Sequence, residues 1–222
     1  YEIVFLSYHE PFAETSYKRL TARFDARWVK DIEGIFTAHK QAASEVQSSM
    51  FWVVDADAEV TEDFDFSYVP DAYDQDVVHV WNSKNPVTGE EYGYGGVKLF
   101  NTEQVREANS WGLDFTTGLS KRFKALPEIS CTTKFNTDAY NTWRSAFREC
   151  VKLGARPDDS EAKQRLEGWL HPEPNADFRE DALAGAKAGL EYANKWGTKP
   201  LKMAKINDYE WLEEYYNEQN SS

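Results

Sequence analysis

Asp55 and Asp57 stand one residue apart directly after the apolar run Phe51-Trp52-Val53-Val54, with no glycine or proline between them. A short apolar run bounded by polar residues reads as a buried strand of a parallel sheet. Ligands of open α/β sheets gather beyond the carboxyl ends of such strands. Two carboxylates at i and i+2 in that place suit a hard divalent cation, Mn²⁺ or Mg²⁺, that keeps some of its water and bridges to a diphosphate. Among 38 Asp and Glu an Asp-x-Asp will arise by chance several times. The strand end is what separates this pair from a solvated loop.

A diphosphate that departs as a leaving group also needs cationic side chains, and an acceptor hydroxyl needs a base within reach. His39 and Lys40 are the candidates for the diphosphate. They fall on the first turns of a helix expected after Gly34, directed away from its inner face of Ile35, Ala38, Ala42 and Val46; a solvated helix face accounts for them equally well. Asp138 is the candidate base. It opens a helix expected over 138–153, where the helix dipole favours the ionised carboxylate, although an ordinary helix-start aspartate would sit there too. Ser7, Tyr8 and Glu10 follow the first strand and are placed to meet a nucleotide's base and ribose. Gly95 and Gly96, just before a strand at 97–100, indicate close approach by a ligand or by another backbone, or simply a tight turn. His171, beside Pro172, reads as surface and is left out of the metal set.

The elements that position these residues alternate. Strands are expected over 1–7, 27–29 and 51–54. Between them lie a helix with Tyr17, Leu20 and Phe24 on one face and the helix after Gly34. This β-α-β-α-β order is the pattern of a parallel sheet covered by helices. Further on, 77–81 reads as a strand, 82–91 as a loop with Pro86 and Gly89, and Asn101 with Gln104 as a helix cap and its partner. The helix over 138–153 has an apolar face of Tyr140, Trp143, Phe147, Cys150 and Val151, and a separate stripe of Arg144, Arg148 and Lys152. Helices over 158–170, 179–196 and 208–216 complete the chain, with a break at His171–Asn175. The expectation is one α/β domain: a mostly parallel central sheet flanked by helices, with a helical C-terminal region.

The chain has 222 residues, a mass of 25.6 kDa and a formal charge of −13. No apolar run approaches the ~20 residues that cross a bilayer, and no signal-peptide pattern opens it. Cys131 and Cys150 have neither metal nor redox spacing. The expectation is a soluble protein in a reducing cytoplasm, without a membrane partner. The charge is uneven. Residues 41–80 hold ten acids and no Lys or Arg, whereas 118–156 hold eight bases, among them Lys121, Arg122, Arg144 and Arg148, against three acids. A polyanion could therefore find a basic face on an acidic protein, although solvated charge runs are common.

Three segments, YEIVFLSYHEP, GIFTAHKQAA and FWVVDADAEV, together resemble the nucleotide-binding half of the GT-A fold, family 2-like glycosyltransferases, whose Asp-x-Asp serves nucleotide sugars. His39-Lys40 stand where that superfamily has Arg-Asn. More narrowly, VHVWNSKNP, EYGYGGVKLF and FNTDAYNTWRSAFRECVKL are similar to the phage branch of the TET/JBP-associated glycosyltransferases, which also include the kinetoplastid base J glucosyltransferase. The likeness covers residues 1 to about 195, and FNTDAYNTWRSAFRECVKL is its most specific part.

The resemblance implies a GT-A-like, Rossmann-like domain, with 1–100 as the nucleotide-sugar half and 101–222 as the acceptor and helical half. It implies transfer from a UDP-sugar, with Mn²⁺ or Mg²⁺ at Asp55 and Asp57, to the hydroxymethyl group of a 5-hydroxymethylpyrimidine in DNA. Hydroxymethylcytosine is the first choice, and a bacteriophage acting in its host's cytoplasm the setting. The donor is assigned to Ser7, Tyr8, Glu10, His39, Lys40, Asp55, Ala56, Gly95 and Gly96. The acceptor is assigned to Trp81, Lys121, Arg122, Trp143, Arg144 and Arg148. The superfamily's Glu-Asp pair falls on Thr137-Asp138, so only the aspartate carries over as base, and a third metal ligand has no match. A saccharide or protein acceptor and a non-catalytic nucleotide-sugar-binding module are the rival readings.

Overall fold

The computed structural model describes residues 1–109, 118–120 and 122–220, so Lys121 lies outside the described residues. The chain forms two compact units. One is Tyr1–Lys84 with Glu91–Thr133, and the other is Asn85–Glu90 with Lys134–Ser222.

The first unit is built on a seven-stranded sheet of β1 (Glu2–Ser7), β2 (Ala26–Lys30), β3 (Met50–Asp55), β4 (Ala58–Val60), β5 (Val78–Lys84), β6 (Glu91–Asn101) and β7 (Phe123–Thr133), in the order β2-β1-β3-β6-β5-β7-β4. β1 runs parallel to both β2 and β3, as the alternation of the sequence requires. Beyond β3 the sheet is mixed: β6 is antiparallel to β3 and β5, β5 and β7 are parallel, and β4 closes the far edge antiparallel to β7.

Both faces of β3 are covered, which is why its sequence is an unbroken apolar run. Trp52 and Val54 pack with Ile3 and Phe5 under α1 (Ala13–Thr21), in a cluster that also holds Trp81, Phe64 and Phe66. Phe51 and Val53 pack with Val4, Leu6 and Phe100 under α2 (Ile35–Glu45). A short α3 (Thr102–Glu107) starts at the expected cap, where the Asn101 side chain accepts from the Gln104 N–H.

β6 is longer than the expected 97–100. It runs back through the glycines to Glu91, and its register with β5 slips between Val80↔Lys98 and Asn82↔Gly93. Gly95, at φ +90°, lies in that slip. β7 had no sequence expectation because Pro127 and its charged residues argue against a strand. It accommodates them by a slip of its own, from Trp81↔Leu126 to Asn82↔Ile129.

The second unit is helical: α4 (Ala139–Gly154), α5 (Ser160–Leu170), α6 (Arg179–Trp196), α7 (Pro200–Met203), a 3₁₀ turn at Ala204–Asn207, and α8 (Tyr209–Asn220). α4 and α6 pack backbone to backbone, because side chains at Gly185 and Gly189 would overlap the carbonyls of Trp143 and Phe147. Trp143, Phe147, Tyr192 and Leu212 form the core, with Trp143 and Phe147 stacked at 4.9 Å. Among the described residues no helix is long and apolar enough to cross a membrane.

Candidate functional site at the end of β3

β3 ends at Asp55, which pairs in register with Leu6 next to the end of β1. Ala56 and Asp57 form the turn into β4, and Ala56 and Ala58 are buried on either side of Asp57. The turn lies against β6 because position 96 has no side chain. A methyl group at Gly96 would stand 2.9 Å from the Ala58 methyl carbon and 3.1 Å from Cys131 Sγ. The close approach read from the two glycines is thus made by protein at Gly96, while Gly95 supplies a left-handed bend.

The two aspartates differ. Asp55 Oδ2 accepts a 2.7 Å hydrogen bond from Nζ of Lys98, a β6 lysine whose side chain is only 5% exposed. Asp57 Oδ1 is closed to solvent and has no hydrogen-bond partner among the described residues. Burial, followed by the charges of Asp55 and Glu10, pushes the Asp57 carboxyl up to about 7, against a smaller opposing pull from Lys98. Cys131, beneath the turn, is driven by burial up to about 11 and stays a thiol.

A divalent cation fits this donor set. Its oxygens are hard, one is orphaned among the described residues, and the charges of Asp55 and Glu10 act together against the ionised Asp57, with Lys98 opposing them. Among the described residues no group of three or more His, Cys, Asp or Glu is arranged to hold a metal. The fit is therefore to an ion of the Mg²⁺ or Mn²⁺ kind, which keeps waters and binds through one or two carboxylates and a phosphate.

Around the rim, Ser7 Oγ accepts from Trp28 Nε1 at 2.9 Å, and the Tyr8 N–H donates to Glu10 Oε2 at 2.6 Å. Asp31, which the sequence did not single out, follows β2 and donates its N–H to the Ser7 carbonyl at 3.1 Å. His9 and Asp31 both adopt positive φ, at 62° and 59°, and their side chains approach to 3.5 Å. Non-glycine residues in that region are held against a backbone cost that concentrates at functional sites. Their only sequence signal was position at a strand end.

Several expected residues are placed otherwise. His39 is core: it is 1% exposed, its Nδ1 lies 2.7 Å from the Ile35 carbonyl, and it packs edge-on to Phe100. It is held neutral, its pKa lowered to about 3 by burial and by Lys98, and it offers a diphosphate neither charge nor access. Lys40 donates to the Ala108 carbonyl at 2.9 Å. Trp81 is core against Trp52 at 4.6 Å and presents no open face to an acceptor. Arg122 forms ion pairs with Asp74 and Asp76, and Lys124 pairs with Asp74 at 2.7 Å, so part of the basic stretch is neutralised by the acidic one.

Asp138, Trp143, Arg144 and Arg148 belong to the helical unit. Asp138 caps α4, its Oδ1 accepting from the Asn141 N–H at 2.8 Å and its Oδ2 from the Asn141 side chain. Trp143 is 2% exposed, inside the core. Arg144 lies over the rings of Tyr140 and Tyr209, and Arg148 donates to the Ile206 carbonyl at 2.7 Å and to Asn207 Oδ1 at 3.0 Å. His171 is exposed.

No protein-family model matches this chain, and no curated protein matches it either. Among solved structures, the mannosyltransferase PcManGT from Pyrobaculum calidifontis, in complex with GDP-Man and Mn²⁺, aligns with 93% of this chain and 74% of its own at 14% identity, with a TM-score of 0.45. HddC from Yersinia pseudotuberculosis aligns with 60% of this chain and 69% of its own at 16% identity, with a TM-score of 0.35. Likenesses at this level leave the functional reading to the chain's own residues.

Proposed function

We propose that this chain is a metal-assisted glycosyltransferase that takes its sugar from a nucleotide diphosphate donor, a UDP-sugar. One observation carries the reading: the solvent-closed Asp57 oxygen that has no hydrogen-bond partner among the described residues, just beyond the carboxyl end of a central strand. Burial and neighbouring acids hold the Asp57 carboxyl up to about 7, and a divalent cation is the partner that relieves such crowding. Asp57, with Asp55 next to it, would hold Mn²⁺ or Mg²⁺, and such an ion would supply positive charge to a departing diphosphate. Ser7, Tyr8 and Glu10, joined by Asp31, form the strand-end rim that meets the nucleoside. Asp138, which caps α4 in the helical unit, is kept as the candidate base for the proton of an acceptor hydroxyl; in an inverting transfer that hydroxyl oxygen bonds to the anomeric carbon as the bond from that carbon to the diphosphate oxygen breaks.

Within that class, the resemblance of FNTDAYNTWRSAFRECVKL points to the hydroxymethyl group of a 5-hydroxymethylpyrimidine in DNA, hydroxymethylcytosine first. A second reading, a saccharide or protein acceptor, is favoured by the ion pairs that commit Arg122 and Lys124 to Asp74 and Asp76. One experiment separates them: incubation with plain DNA, hydroxymethylated DNA or free saccharides, a panel of nucleotide sugars and Mn²⁺, read by mass spectrometry of nucleosides and sugars. Glycosylated hydroxymethylcytosine that disappears with EDTA and in Asp57→Ala is expected. Transfer to saccharide alone selects the second acceptor, and transfer undiminished by EDTA defeats the metal-assisted reading.

A further inference from the structure

The two carboxylates of the strand-end pair are not equivalent, and the residue that separates them is Lys98. It sits in Val97-Lys98-Leu99-Phe100, on a strand hydrogen-bonded on both sides, where lysine is rarely found. Its register partners are Val53 and Val80, both in the core layer under α2, and its side chain is 5% exposed. A buried ammonium needs a counter-charge, because leaving it unpaired is far costlier than keeping the pair. The counter-charge here is Asp55 Oδ2 at 2.7 Å.

An oxygen that accepts a short bond from an ammonium is poorly disposed to bind a cation, and the ammonium itself repels one. Among the described residues Asp57 Oδ1 has no such neighbour. We propose that Lys98 is a positioning residue that withholds Asp55 from the metal, so that the ion is held by Asp57 as its sole carboxylate and keeps its remaining positions for water and the donor diphosphate. The proposal rests on the metal-assisted reading above and adds a residue that sets how many carboxylates the ion receives.

The test uses the whole chain and Mn²⁺ alone. Free Mn²⁺ is titrated by electron paramagnetic resonance, and the waters on bound Mn²⁺ are counted by proton relaxation. Lys98→Met takes the ammonium away from Asp55 Oδ2 and removes its repulsion of the ion, so Mn²⁺ should bind about ten-fold tighter with one coordinated water fewer. The double variant Lys98→Met/Asp55→Asn removes the pair without changing net charge, and should return affinity and water count to those of the unaltered chain. If Lys98→Met alone does not fold, the double variant, which leaves no unpaired charge, carries the test.

A double variant that loses Mn²⁺ as completely as Asp57→Asn would show Asp55 to be a ligand and overturn the proposal while leaving the metal site standing. If the unaltered chain binds no Mn²⁺ that Asp57→Asn abolishes, the metal-assisted reading itself fails, which is a different result.

Discussion

His39 makes the fold sensitive to acid in a way that can be calculated. In the folded chain its pKa is lowered to about 3, by burial first and by the Lys98 charge second, against an ordinary value of 6.5. Between those values the unfolded chain takes up a proton that the folded chain refuses. The stability is therefore complete above pH 6.5, declines as the pH falls, and levels off below about pH 3. Each unit between the two values costs about 1.36 kcal/mol, so the loss is roughly 2 kcal/mol at pH 5. His39→Gln keeps a neutral donor and cannot titrate. Urea unfolding of the metal-free protein at several pH values from 7.5 to 5, followed by tryptophan fluorescence, should show the stability difference between the unaltered chain and the variant changing by about that amount. The difference is the measurement, because Asp57, with its raised carboxyl, binds a proton in the fold first and pulls the unaltered curve the other way. A constant offset at every pH, or a variant that is lost on acidification as steeply as the parent, would refute the argument. It would mean that His39 titrates alike in both states.

Asp138→Asn should cut kcat by roughly 10²–10⁴ with the unfolding curve unmoved, because asparagine caps a helix as well as aspartate; Asp138→Ala should add a loss of about 1 kcal/mol by the same assay. Gly185→Ala should destabilise the helical unit by at least 1–3 kcal/mol (roughly), since its methyl group would overlap the Trp143 carbonyl and force α4 and α6 apart. Gly96→Ala, pressed against Ala58 and Cys131, should cost about 1–3 kcal/mol and also weaken Mn²⁺ binding, measured by titration, because the displaced turn carries Asp57. Arg122→Ala should lower stability by less than about 1 kcal/mol, as an exposed ion pair does, and a DNA-binding assay should find affinity little changed if its charge is spent on Asp74 and Asp76.

The strand carrying the aspartates was legible because a strand buried on both faces writes its position as an uninterrupted apolar run, and Asp55 and Asp57 end that run visibly. The helices over 138–153 and 179–196 were legible for a similar reason: an apolar face at helical spacing survives whatever it packs against. What stayed hidden was the choice of partner. α2 is turned so that His39, Ala42 and Ala43 are buried while Ile35 is 52% exposed, and no local pattern sets that rotation. Lys98 reads as a solvent-facing lysine until β6 is known to lie between β3 and β5. Arg122 and Asp76 are 46 positions apart, and they meet because β7 pairs with β5. Charge counted by stretch therefore overstates the field that a partner meets, since ion pairs across the sheet cancel it where both stretches converge. The same pairing works in reverse at the Asp-x-Asp: two carboxylates identical in the sequence become unequal once one of them has a lysine, and that inequality is what a metal ion would read.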